Sequence, residues 1–150
     1  MPENRACPCC SAVPYAECCK PLHQGKEATT PLLLMRSRYS AYALSQVEYI
    51  QKTTHPQSPY FELDKEKWTN AIVDFCQTTE FLKLEILDSD ADWVSFAAHL
   101  KQKDKFFILQ ERSVFRTVSS HWRYLNGQVE IITPSSTDID GKLNDLIYRP

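Results

Sequence analysis

The chain has little glycine and no long apolar run, and both shortages exclude classes of protein. Its 150 residues include only 3 Gly, which excludes a glycine-rich phosphate loop or a dinucleotide-binding fingerprint. No apolar run approaches the roughly 18 residues that a membrane span requires, so the sequence predicts no transmembrane helix. Residues 1–10 are polar and do not have the apolar centre that is typical of a secretory signal peptide.

A strong charge of either sign is also missing. Lys and Arg number 17 and Asp and Glu number 19, which gives a net charge of −2. This balance does not favour nucleic acid or an anionic membrane surface as a partner. With 43% hydrophobic and 24% charged residues, the composition is instead typical of a soluble globular protein.

The cysteines are unevenly placed, and their placement indicates a metal site. Five of the 6 lie within residues 7–19, in a segment with almost no aliphatic side chains. Because no secretory signal is evident, we expect a cytoplasmic protein whose thiols stay reduced. Clustered thiols in a reducing compartment are typical of metal binding. A bound metal would supply the folding energy that a segment without an apolar core lacks.

The spacing of four of these cysteines predicts one structural Zn²⁺ ion with a tetrahedral shell of thiolates. The candidate ligands are Cys7, Cys9, Cys18 and Cys19. Two alternatives remain open at this point. His23 could replace Cys19 as the fourth ligand, because adjacent cysteines form a geometrically tight pair. Cys10 is then a spare thiol.

The next part of the chain has helical spacing. Thr30-Pro31 is a helix-start signal, and apolar residues recur at helical intervals from Pro31 to about Lys52. The helix should end before the breaker cluster at Thr53–Pro56. A second helix is predicted to begin near Asp64.

After about residue 80 the apolar period changes to two, which predicts antiparallel strands. We expect strands near 82–86, 94–100, 106–116, 121–125 and 128–132, the last two joined by a tight hairpin at Asn126-Gly127. Helices followed by strands indicate an α+β fold with a curved sheet wrapped on the helices. The polar tail from Thr133 could dock through Leu143, Leu146 and Ile147.

The cysteine pattern resembles the SEC-C motif. The matching residues are Cys7-Pro-Cys9-x-Ser11, followed by Cys18-Cys19. That motif is similar to the zinc-binding tail of the SecA translocase ATPase, which implies that the same four cysteines bind zinc. The motif's Ser, matched here by Ser11, would support the thiolate turn. Cys10 departs from the Gly that the motif usually carries.

Longer blocks resemble the bacterial YchJ family over residues 7 to about 132. They are Cys18-Cys-Lys-Pro-Leu-His23, Leu34-Met-Arg-Ser-Arg-Tyr-Ser-Ala-Tyr42, Thr54-His-Pro56 and Trp122-Arg-Tyr-Leu-Asn-Gly127. The resemblance implies a SEC-C segment over residues 1–25 and a nuclear-transport-factor-two-like domain, a cystatin-like cone, over 26–150. It implies no activity, because the family has none assigned. No Cys follows Cys76, so a second SEC-C segment, present in some members, is absent.

Cones of this kind often enclose a ligand cavity. The candidate lining residues are Arg36, Arg38, Tyr39, Tyr42, His55, Trp68, His99, Arg112 and Trp122. Arg36 and Arg38 point to different sides of a helix, so at most one of them faces the sheet. A buried Arg needs a partner, which Glu85 or Glu111 could provide. His55 before Pro56 could instead be a turn residue.

Two functions follow as hypotheses. The first is a zinc-binding adaptor whose SEC-C segment contacts a protein or ribosome-associated partner. The second is small-molecule binding or enzymatic activity in the cone cavity, for which the sequence assigns no catalytic residue. A homodimer formed through the sheet is possible for such a fold.

Overall fold

The computed structural model describes residues 5–133 and has the α+β architecture that the sequence predicts. Helices come first and a four-stranded antiparallel sheet follows. None of the helices within residues 5–133 is long and apolar enough to cross a membrane. The predicted docking of Leu143, Leu146 and Ile147 lies outside the described residues.

Four helices precede the sheet. They are α1 (Lys20–His23), α2 (Pro31–Ala43), α3 (Val47–Lys52) and α4 (Lys65–Thr78), with a 3₁₀ turn at Tyr15–Glu17 before them. The Thr30 side chain accepts a hydrogen bond from Leu33 N, and the Asp64 side chain accepts one from Lys67 N. These N-caps satisfy amides that have no partner within the helix. Both predicted helix starts are therefore confirmed.

The single helix predicted from Pro31 to Lys52 is in fact two helices. Gln46 N donates to Ala41 O at 2.8 Å, and Ser45 adopts a left-handed conformation with φ of 57°. This hydrogen bond joins residues five positions apart and encloses the left-handed residue, so it ends α2 in the manner of a Schellman motif. Glycine usually occupies that position, so the serine found there did not indicate a helix end in the sequence.

The strands are β1 (Glu80–Ser89), β2 (Trp93–Gln102), β3 (Lys105–Val118) and β4 (His121–Ile132), paired in chain order. Side chains alternate between two faces of the sheet. Val94, Phe96, Ala98 and Leu100 of β2 are buried on the inner face. α2 packs against this side, in contact with β1, β2 and β4.

The predicted hairpin at Asn126-Gly127 is wrong. Both residues lie within β4, where they pair with Val114 and Ser113. The chain reverses instead at Ser119-Ser120, which both have positive φ, 49° and 71°, as a two-residue hairpin loop requires. A register shift at Val114/Phe115 leaves Leu125 as an extra residue in β4, so the sequence around Gly127 belongs to a bulged strand.

The N-terminal residues pack directly on the rest of the fold. Tyr15 and Leu22 are buried in the same apolar cluster as residues of α2 and the sheet. Arg123 of β4 donates to Glu27 Oε1 at 2.9 Å, which ties the connector after α1 to the last strand. Residues 5–25, hereafter the cysteine segment, therefore share an extended interface with the sheet domain that follows.

Candidate metal centre and cone cavity

The structure brings four cysteine side chains together at the N-terminus. The Sγ atoms of Cys7, Cys9, Cys18 and Cys19 all lie within 4.8 Å of one another. Cys9 Sγ is 3.6 Å from Cys18 Sγ, which is 3.9 Å from Cys19 Sγ. Four sulfurs bound at about 2.3 Å to one tetrahedral ion are separated by about 3.8 Å from each other. These four thiols, hereafter the thiol cluster, therefore fit a single metal ion.

The thiol cluster is suited to losing its protons to solvent when a metal binds. Hydrogen bonds from the thiols of Cys19 and Cys7 lower the pKa of Cys9 far below its ordinary value. The same contacts, with Cys7 and then Cys9, raise the pKa of Cys19. The Cys9 thiolate is thus stabilised by hydrogen bonds from neighbouring thiols. A bound cation would stabilise the remaining thiols as thiolates as well, because metals bind the deprotonated form.

Two side chains support the cluster from outside. Ser11 Oγ lies 3.1 Å from Cys18 Sγ and accepts a hydrogen bond from Val13 N at 3.2 Å. Arg36 Nη1 donates to Cys9 O at 2.8 Å and lies 3.9 Å from Cys9 Sγ. A cation beside four thiolates reduces their excess negative charge. Arg36 is therefore part of the thiol cluster's surroundings and not of the cone cavity.

Both ring nitrogens of His23 are engaged elsewhere. Nδ1 lies 2.8 Å from Tyr15 Oη, and Nε2 lies 2.9 Å from Ser37 O of α2. Burial lowers the pKa of His23, so the neutral ring bridges the cysteine segment and α2. In this structure Cys19, not His23, is the fourth group of the cluster.

Cys10 has a separate position. It is exposed, stands outside the thiol cluster, and its Sγ accepts a hydrogen bond from Leu84 N of β1 at 3.4 Å. The Cys10 thiol, which is not one of the four cysteines of the thiol cluster, therefore contacts the sheet domain.

A second concave feature lies between the helices and the inner face of the sheet. This cone cavity has a volume of about 540 Å³ and is lined mainly by aromatic and aliphatic side chains of α2, α4 and the strands. Its polar lining residues are Arg38, Tyr39, Tyr42, Tyr60, Glu111, Ser113 and Tyr124. A mostly apolar cavity with a few convergent polar groups is the usual form of a small-molecule site.

Among the sequence candidates, the cone cavity receives Arg38, Tyr39 and Tyr42. Arg38 is 9% exposed, and neither Glu85 nor Glu111 forms an ion pair with it. Its Nη1 donates instead to Ile50 O and to the hydroxyls of Thr53 and Thr54. Tyr39 packs edge-on to Phe81 of β1.

The other candidates lie elsewhere. His55 is a buried turn residue, as one interpretation of His55-Pro56 expected: its amide donates to Tyr124 O, and its Nδ1 accepts from Gln57 N. Trp68 stacks against Phe61 with ring centroids 4.9 Å apart and lines a different cavity, beside α1 and α3. Trp122 is half-buried against the apolar core.

His99 and Arg112 are on the outer face of the sheet. His99 Nε2 lies 2.6 Å from Glu85 Oε1, and the Arg112 guanidinium stacks over the Trp93 ring at 3.9 Å. Their register places them opposite Ile108 and Ser95, on the face alternate to Phe96 and Ala98. Both side chains therefore lie on the outer face of the sheet and outside the cone cavity.

Sequence reasoning named Glu111 only as a partner for a buried arginine and missed Tyr124 and Ser113, which join it in a polar group on the cavity wall. Tyr124 Oη donates to Glu111 Oε2 at 2.7 Å, and Ser113 Oγ donates to the same oxygen at 2.8 Å. Burial, followed by the Glu111 charge, raises the pKa of Tyr124. A signal was available, because Glu111 and Ser113 alternate in register with the apolar Leu109 and Phe115 of β3.

Comparison with known proteins agrees with this architecture. A family model described as the YchJ middle NTF2-like domain matches residues 30–127. A UPF0225 protein of Pectobacterium carotovorum is 36% identical over 134 residues, 83% of each chain. A UPF0225 protein of Deinococcus radiodurans is 37% identical over 127 residues, 83% of this chain and 90% of that one.

Two solved structures are similar along most of their length. A SEC-C motif containing protein from Rhodopseudomonas palustris has a TM-score of 0.68 and 30% identity, covering 83% of this chain and 98% of that one. A sec-c motif containing protein from Psychrobacter arcticus has a TM-score of 0.68 and 28% identity, covering 89% and 87%. With its N-terminal thiol cluster and its NTF2-like sheet domain, the chain belongs to the YchJ family.

Proposed function

We propose that the cysteine segment is a docking module for a protein partner, held in shape by one structural Zn²⁺ ion. Four thiolates complete a tetrahedral shell and leave no open position for a substrate or water, which is typical of structural and not of catalytic zinc. The four-sulfur donor set selects zinc over the harder divalent cations. The ion's role would be to fix the backbone above it.

The observation that carries this proposal is the loop over the thiol cluster. Cys10 and Ala12 have positive φ, 66° and 70°, a conformation that costs free energy for residues other than glycine and persists only when its surroundings impose it. The loop is nevertheless exposed, and Val13 at its end is 39% exposed. A rigid rim of small apolar side chains loses little conformational entropy when a partner binds.

Two exposed basic side chains flank the cysteine segment. Arg5 at its start stacks over the Tyr15 ring at 5.1 Å, and Lys26 directly follows its last residue. This chemistry suits an acidic, partly apolar protein surface, including that of a ribosome-associated protein. Because the site needs reduced thiols, the proposed location is the cytoplasm.

The test is affinity capture with point variants, because removing residues 1–25 would also remove their contacts with α2 and β1. Val13→Asp should abolish capture of a partner from a cytosolic lysate of a bacterium that encodes this chain. Ile131→Asp is the matched control, because Ile131 is 52% exposed and lies on β4, the sheet edge opposite to β1, the strand that Cys10 contacts. Equal capture by both variants, with metal content unchanged, would contradict the proposal.

A second candidate function is the binding of a small molecule in the cone cavity. It is favoured by the convergence of Arg38, Glu111 and Tyr124 in a space of about 540 Å³ that side chains leave unfilled. Binding would show as shifts confined to cavity residues in an amide NMR spectrum, and their absence across a ligand library would count against it.

A further inference from the structure

The cone cavity contains a buried cation without an anionic partner. Arg38 is 9% exposed and forms no ion pair within the part of the chain that the structure describes. All of its hydrogen bonds come from Nη1, at 3.0 Å to Ile50 O, 2.7 Å to Thr53 Oγ1 and 3.2 Å to Thr54 Oγ1. These acceptors are neutral. A buried charge in such surroundings is costly unless a counter-charge approaches it.

The opposite edge of the guanidinium is unused. Nε and Nη2 make no hydrogen bond to any of residues 5–133, although Arg38 lines the cavity. The guanidinium is held over the Tyr124 ring, with Cζ 4.8 Å from the ring centroid. Its orientation is thus fixed from two sides, by the Nη1 acceptors and by the ring. An Arg edge with two parallel N–H groups matches the two oxygens of a carboxylate.

Glu111 does not fill this role. Its Oε2 already accepts from Tyr124 and Ser113, and these bonds hold the carboxylate at the hydroxyl end of the Tyr124 ring. Gly127 of β4 makes room for it there, because a Cβ at Gly127 would overlap the Glu111 carboxylate. The Glu111 carboxylate is therefore held by Tyr124 and Ser113, and it forms no ion pair with Arg38.

Apart from the tyrosines Tyr39, Tyr42 and Tyr60, the rest of the cavity wall is apolar. Met35, Phe75, Phe81, Phe96, Leu100 and Phe115 line it. A ligand that reaches Arg38 would bury an apolar body against these side chains, which favours binding by the hydrophobic effect. We propose that the cone cavity binds a small organic carboxylate with an apolar body, whose carboxylate pairs with Nε and Nη2 of Arg38. This rests on the second candidate function and adds the class of ligand.

The experiment compares matched probes on the full chain in its metal-bound form. The probes are 3-phenylpropanoate, octanoate and indole-3-acetate, each beside its primary amide, and titration calorimetry measures each affinity. The carboxylates should bind at least about 10-fold more tightly than their amides, since charge-assisted pairs are about twice as strong as neutral ones. Arg38→Gln should remove that preference and leave amide binding unchanged.

A second variant keeps the test independent of Arg38's role in folding. Ala71 of α4 is exposed and lines the cavity, so Ala71→Phe should block binding without touching the hydrogen bonds of Arg38. Equal binding of carboxylates and amides would overturn the carboxylate proposal and leave cavity binding intact. Failure of every probe to bind the wild-type chain would overturn both.

Discussion

The cysteine segment and the sheet domain reach an ordered state by different means. The segment buries thiols, one tyrosine and one leucine, and orders two non-glycine residues in left-handed conformations around the thiol cluster. The sheet domain buries aliphatic and aromatic side chains between α2, α4 and the inner face of β1–β4. The first region needs a crosslink because its apolar area is small, whereas the second is stabilised by apolar burial. We therefore expect the cysteine segment to depend on a bound metal and the sheet domain to keep its fold without one.

The largest expected effect is the loss of the metal when one thiol is replaced. Cys9→Ser should weaken zinc binding by more than about 100-fold, because changes to groups that only support metal ligands already cost about 10- to 100-fold. Cys10→Ser is the matched control, since the adjacent thiol lies outside the cluster. Metal analysis of the purified proteins should give one ion per chain for Cys10→Ser and wild type. Metal loss from both variants would contradict the placement of Cys10 outside the metal site.

An intermediate effect is expected within the sheet domain. Gly127→Ala should lower the free energy of unfolding by about 1–3 kcal/mol, because the new Cβ displaces the Glu111 carboxylate from Tyr124 and Ser113. Urea unfolding measures this change. In a Glu111→Ala background the same substitution should cost less, because the Glu111 carboxylate is gone and only the Tyr124 hydroxyl, 2.9 Å from the new Cβ, has to move. An equal cost in both backgrounds would show that Gly127 serves another purpose.

The smallest effect concerns the ion cluster around Glu27, which ties the connector after α1 to β4. The hydrogen bond from Arg123 lowers the pKa of Glu27, and Lys52 and His121 lie 3.7 and 3.8 Å from its Oε2. A carboxyl whose folded pKa is lowered stabilises the fold above its ordinary pKa of 4.5, and that contribution disappears as the pH falls through the folded value.

Glu27→Gln should therefore cost about 0.5–1 kcal/mol at pH 7, the range for partly exposed pairs, and the cost should shrink below the ordinary pKa. Glu48→Gln, on exposed α3 surface, is the control. Thermal unfolding followed across pH 3–7 measures both variants. A Glu27→Gln cost that stays constant with pH would show that the cluster acts through packing and not through charge.

Much of this architecture could be predicted from the sequence, because the signals were local. Thr30-Pro31 and Asp64 cap helices through bonds to residues three positions away, and the period-two pattern after residue 80 marks the sheet. The break at Ser45 could not be predicted, since its left-handed conformation is imposed by the packing of α2 and α3. The Asn126-Gly127 pair misled for a similar reason. Gly127 is required because Glu111 of the neighbouring strand β3 lies against it, and this contact joins residues that are far apart in the sequence.

The candidate sites divide in the same way. The four cysteines of the thiol cluster lie within 13 consecutive residues, Cys7 to Cys19, so their proximity follows from spacing. The cone cavity is lined by residues of α2, α4 and all four strands, so the fold determines which of the candidate arginines faces it. Arg36 and Arg38 are two positions apart on one helix, yet the first contacts Cys9 and the second lines the cavity.

The most direct test of this account is chelation of the bound metal, followed by amide hydrogen exchange along the full chain. The account predicts that residues 5–25 lose their protection, while the amides of β2 and β3 keep at least most of theirs. Collapse of protection in both regions together, or unchanged protection in the cysteine segment, would contradict it.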